Sequence, residues 1–184
     1  MMKIIGIDLA GNPRNDSGLC VLEVMNEKKI VKTFKVKSDE EILEKVKEIK
    51  PEIIAIDAPL TYSGATRKCD LMLREYGALP LTLPGMDKLA RRGSKLRRKI
   101  QEAGFKAIEV FSTASAKILG LYDKNEKAMQ KKLLEVGIRG DLEKRFLSKD
   151  EIDAIFAALT GFLYVMGDFK EVGNKEGKII IPKI

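Results

Sequence analysis

The chain has 184 residues, 34 Lys and Arg against 27 Asp and Glu for a formal charge of +7, two cysteines and no histidine. Without histidine, Ser-His-Asp and Cys-His triads, His-ligated zinc hydrolases and haem centres are excluded, so catalysis would rest on carboxylates, Lys, Tyr, Ser or Cys. Cys20 and Cys69 lack the C-x-x-C spacing of a zinc or redox motif. The N-terminus has no signal-peptide pattern, and no apolar run approaches a membrane span. A single cytoplasmic domain over residues 1–184 is expected, basic enough to attract a polyanion such as nucleic acid.

Lys3-Ile4-Ile5-Gly6-Ile7-Asp8-Leu9-Ala10-Gly11 opens the chain as an apolar strand carrying one carboxylate before a glycine turn. The turn formers from Asn12 to Gly18 lead to a second strand, Leu19 to Met25, and Ile30 to Val36 gives a third. An antiparallel meander follows from the short connections. Ser38-Asp39-Glu40-Glu41 is a capping box, and Ile42, Leu43, Val46 and Ile49 recur at helical spacing until Lys50-Pro51 stops them. Glu52 to Asp57 is a fourth strand. A right-handed crossover would lay it parallel to the first and make Asp8 and Asp57 neighbours.

Beyond it, the spacing predicts helices over Thr61 to Tyr76 and Lys88 to Glu102, with a Pro- and Gly-rich loop from Gly77 to Gly85 between them. Lys106 to Phe111 reads as a fifth strand containing Glu109. Residues 112–147 read only as short helical pieces broken at Gly137 and Gly140. Ser148-Lys149-Asp150-Glu151 is a second capping box, opening a helix with Ile152, Ile155, Phe156, Leu159, Leu163 and Met166 on one face and Asp150 and Asp153 three residues apart. The tail reads as a hairpin turning at Asn174 to Gly177.

The acids Asp8, Asp57, Glu109, Asp150 and Asp153 thus come from several elements. Hard oxygen ligands of this kind suit Mg2+ or Mn2+, and such ions can activate water and stabilise the leaving oxygen in phosphodiester cleavage. Each acid also has an ordinary reading: a strand-end turn residue for Asp8 and Asp57, a solvent-facing edge residue for Glu109, and a helix-dipole partner for Asp150. Arg91, Arg92, Lys95 and Arg98 in the basic run, with Arg67 and Lys68 nearer to Asp57, are candidate phosphate contacts. A solvated helix face is the plain alternative for the run.

This order of elements resembles the ribonuclease H-like fold: an α/β mixed sheet of a three-stranded antiparallel meander plus parallel strands, flanked by helices. More closely, Gly6 through Ala10, Ile56 through Leu60, Arg67 through Asp70, Arg92-Gly93, Glu109-Val110, Asp150 through Ala154 and Gly177 through Pro182 resemble the domain-of-unknown-function 429 family. Ser112 departs from the family pattern, which has proline after the Glu-Val-aromatic motif. The resemblance implies a nuclease hydrolysing nucleic acid, with Asp8, Asp57 and Asp153 as metal ligands and Asp150 and Glu109 as additional or alternating ones. Two other readings stand beside it. Asp8-Leu9-Ala10-Gly11 is similar to the first phosphate loop of actin-like and sugar-kinase phosphotransferases, which normally need two lobes. The third reading is a non-catalytic nucleic-acid-binding module.

Overall fold

A computed structural model describes residues 1–184. Strands β1 (Met2–Asp8), β2 (Ser17–Met25) and β3 (Lys28–Val36) form the expected meander. Asn26 and Glu27 close the second hairpin with φ of 48° and 67°, as a two-residue turn between right-twisted strands requires. Helix α1 (Asp39–Ile49) begins where Ser38 Oγ accepts the Glu41 N–H at 3.2 Å, and it ends on Lys50 in the left-handed region. The chain then crosses to β4 (Ile53–Asp57), which pairs parallel with β1.

The remaining elements are α2 (Lys68–Met72), α3 (Met86–Glu102), β5 (Ala107–Glu109), α4 (Ser112–Ile118), α5 (Glu126–Glu135), β6 (Ile138–Gly140), α6 (Lys149–Met166), β7 (Phe169–Asn174) and β8 (Gly177–Pro182). The main sheet runs β5-β4-β1-β2-β3-β6, and β7 and β8 form a separate hairpin. No helix is long and apolar enough to cross a membrane.

Alternation along the strands assigns the two faces. Ile5 and Ile7 of β1, with Ile54 and Ile56 of β4, pack with Ile42 and Val46 of α1 and Leu96 and Ile100 of α3. Ile4 of β1 and Ile53 and Ala55 of β4 pack on the opposite side with α6. By the same parity, Gly6, Asp8 and Asp57 belong to the α6 face.

Helix α6 is buried on all sides from Glu151 to Gly161, rather than along the single stripe its large apolar residues suggest. It lies between the sheet and α4 and α5, and its sheet-facing side is small. A Cβ on Gly6 would stand 2.1 Å from the Ala154 carbonyl oxygen, and one on Gly18 would stand 2.0 Å from that of Asp150. Glycine at both positions is what lets the helix backbone touch the sheet. Its first turn is also tethered: Glu151 accepts from Arg145 at 2.6 Å, from Thr33 Oγ1 at 2.9 Å and from the Ser148 N–H at 2.9 Å. Burial opposes ionisation of Glu151, but these donors outweigh it and hold its carboxyl at about 2.

Two elements differ from the sequence expectation. Residues 61–67 are not helical; helix begins only at Lys68, because the apolar spacing that supports it starts at Cys69. Strand β6, which pairs parallel with β3, occupies the stretch between the two glycine breaks. Three residues carry no readable period.

Candidate active site

The crossover places Asp8 directly opposite Asp57 in the register of β1 with β4. Both strands present these side chains to the face covered by α6, and the glycine contacts bring the first turns of that helix down beside them. Asp150 and Asp153 therefore join the cluster. Asp8 and Asp57 are half-buried, and Asp153 is buried.

Ionisation is costly there. Burial first, then the charges of Asp57, Asp153 and Asp150, push the Asp8 carboxyl far above the usual carboxylate range, while Lys149 opposes the shift. Asp57 is raised by burial and by Asp153, against the Ser112 donors and Lys149. Asp153 is raised by burial too, and Lys149 again works against it. Four carboxylates thus face one ammonium. The Lys149 Nζ is ion-paired with Asp153 four residues along the helix, and its charge is felt by Asp8 and Asp57 as well.

This donor set fits a hard divalent cation: every group is a carboxylate oxygen, and Lys149 alone does not offset what pushes Asp8, Asp57 and Asp153 up. The side chains do not close as three ligands around one point. Asp153 instead turns to Lys149.

Glu109 does not belong to this cluster. It stands opposite Ile56 in the β4–β5 register, so its side chain leaves the sheet on the other face from Asp57. There it accepts from Arg67 Nη1 and Nη2 at 2.8 and 2.6 Å and from the Leu60 N–H at 2.9 Å. The expected metal-ligating role, and the solvent-facing alternative, are both corrected: Glu109 is a buried partner of Arg67. Arg67 is corrected with it. Its guanidinium is 2% exposed and also donates to Asp70 at 3.0 and 2.7 Å, so it has no face for a phosphate.

The basic run divides in the same way. Arg92 is buried and donates to Asp39 Oδ1 at 3.0 Å and to the carbonyls of Ala10 and Lys37 at 2.6 and 2.7 Å, fixing the segment after β1 against the start of α1. That contact network replaces its expected phosphate role. Lys68, Lys95 and Arg98 are exposed, and Arg91 lies 5.0 Å over the Tyr62 ring.

Several neighbours of the cluster complete its surroundings. Ser112 at the start of α4 faces Asp57 and donates its hydroxyl to the Asp153 carbonyl at 2.8 Å. Its only sequence signal is the departure from proline; a proline there would supply neither N–H nor hydroxyl. Lys149 was readable as the i,i+4 partner of Asp153. Arg14 and Lys37 line an open groove of about 640 Å3 that runs beside Asp150. They are far apart in sequence, and only the β1–β2 loop and the end of β3 bring them together.

No protein-family model matches the sequence, and no curated protein matches it. Among solved structures, the chain is similar to Thermus thermophilus RuvC, with a TM-score of 0.54 and 17% identity over 90% of this chain and 97% of that one. The likeness is one of fold, and the fold is ribonuclease H-like.

Proposed function

We propose that the chain is a metal-dependent nuclease that hydrolyses phosphodiester bonds in nucleic acid, a cytoplasmic enzyme of the domain-of-unknown-function 429 family. One observation carries the reading: β1, β4 and α6 deliver Asp8, Asp57, Asp150 and Asp153 to one place, with Lys149 as the nearby cation. A ribonuclease H-like fold supports it as the class in which such a site is expected.

Asp8 and Asp57 would hold Mg2+ or Mn2+, with Asp150 and Asp153 completing the oxygen donors once Asp153 leaves Lys149. Such an ion supplies activated water at neutral pH and charge stabilisation at the phosphorus. Ser112 favours the ionised form of Asp57 and ties α4 to the Asp153 carbonyl, and the tether of Glu151 to Arg145 and Thr33 keeps the first turn of α6 in register with β1. Arg14 and Lys37 in the adjoining groove would take the phosphates of an approaching strand, giving salt-dependent, sequence-independent affinity.

The test is cleavage of labelled RNA, DNA, hybrid and branched substrates by the purified protein with Mn2+ or Mg2+. The reading expects at least one substrate to be cut and cutting to be lost in Asp8→Asn and Asp57→Asn. Equal cleavage by those variants would remove it, and salt-sensitive binding without cleavage would favour the non-catalytic module. ATP turnover without nucleic-acid cleavage would favour phosphotransfer.

A further inference from the structure

On the far side of β4 from the carboxylate cluster, the sheet ends at the short strand β5. The terminal hairpin touches that edge as a β-bridge only at Val110–Ile180, where Val110 meets β8. Alongside this contact the hairpin, the end of α6 and α3 enclose a cleft of about 340 Å3. Its volume lies within the range of small-molecule sites, roughly 300–1,000 Å3.

The charges lining it are uneven. Arg97, Lys106, Lys175 and Lys178 face two acids, Glu109 and Glu171. Both acids are already occupied, Glu109 by Arg67 and Glu171 by Lys178 at 2.9 Å. Arg97, Lys106 and Lys175 are left without a carboxylate partner. Lys106 donates instead to the Tyr164 hydroxyl at 2.6 Å. Arg97 is the most telling of the three: it lines the cleft half-buried, and its guanidinium makes no hydrogen bond or ion pair within the protein. A half-buried guanidinium with no protein partner is open to an anion, and its terminal edge matches a phosphate with two parallel N–H bonds. Leu60, Ile108 and Ile180 supply an apolar wall for an organic body attached to that phosphate.

We propose that this cleft binds a phosphate monoester of mononucleotide size, with Arg97 as its principal contact and Lys106 and Lys175 balancing the second charge. The site is separate from the carboxylate cluster and does not depend on the nuclease reading.

The experiment is a calorimetric titration of the intact chain with 5′-AMP in buffer containing a chelator, so that divalent ions play no part. Saturable one-to-one binding is expected. Arg97→Gln should weaken it by about tenfold or more, and adenosine, which lacks the phosphate, should bind at least about tenfold more weakly than 5′-AMP. Asp8→Asn should leave the affinity within about twofold, because Asp8 lies in the other site. Lys175→Gln, on the exposed hairpin turn, provides a variant with little risk to folding and should weaken binding by about threefold. The proposal is overturned by absence of saturable binding, by affinity unchanged in both Arg97→Gln and Lys175→Gln, by adenosine binding as well as 5′-AMP, or by loss of binding in Asp8→Asn.

Discussion

Asp8 and Asp57 end two neighbouring parallel strands in the same register and present their carboxyls to the same face of the sheet. Two acids so placed repel one another in partly buried surroundings, and α6 adds Asp150 and Asp153 to them. The cluster costs stability and is therefore expected to have a use beyond folding.

That cost has a defined pH dependence. In the metal-free protein, Asp8 is pushed up to about 9 and Asp57 to about 7. An unfolded aspartate titrates near 3.9, so between these limits the native state binds more protons than the unfolded state. The contribution of the pair to stability is therefore intact below about pH 4 and is lost as pH rises toward about 9. Denaturant unfolding in a chelating buffer should show this decline. Asp8→Asn should flatten it and raise stability near pH 8 by about 1–2 kcal/mol, a few degrees in Tm. No change in slope would mean that neither burial nor its acidic neighbours raise Asp8 in the folded protein.

The close approach of α6 is testable without touching an acid. Gly18→Ala would drive a methyl into the Asp150 carbonyl and displace the first turn of the helix. A loss of about 2–3 kcal/mol is expected, together with weaker Mn2+ binding measured by calorimetry. Unaltered Mn2+ affinity would separate Asp150 from the metal-binding groups.

Arg67 and Glu109 should behave as structural residues. Arg67→Met leaves Glu109 and Asp70 buried without their cation and should lower stability by about 3–5 kcal/mol in denaturant unfolding. Glu109→Gln should also destabilise the fold, yet the protein that remains folded should keep its Mn2+ affinity. A specific loss of metal binding in Glu109→Gln would return this residue to the site.

The groove beside Asp150 gives a prediction about substrate. Arg14→Ala and Lys37→Ala should each weaken nucleic-acid binding regardless of sequence, and each should reduce the slope of log affinity against log salt by about one. Fluorescence anisotropy over a salt series measures both effects. An unchanged slope would place the strand elsewhere on the surface.

The sequence made the backbone of the site readable because two Ile-rich strands each end on an aspartate, and because the Ser148 box marks where α6 starts. The meander and crossover that make Asp8 and Asp57 neighbours follow from turn chemistry and handedness. Glu109 was not readable, because a single residue of register decides which face its side chain takes, and β5 is only three residues long. Arg67 and Arg92 look like surface cations in sequence, since Glu109 for the one, and Asp39 with two carbonyls for the other, come from other segments; only Asp70, three residues after Arg67, is local. Ser112 and the Arg14–Lys37 groove depend on contacts between distant segments, which no local period encodes.

The most direct test of the central claim is a crystal of the protein soaked in Mn2+ and measured at the manganese edge. Anomalous density bounded by Asp8 and Asp57, with Asp150 or Asp153 turned toward it and Lys149 released from Asp153, is the predicted result. Saturating Mn2+ with no density at that cluster, and the Lys149–Asp153 pair intact, would contradict it.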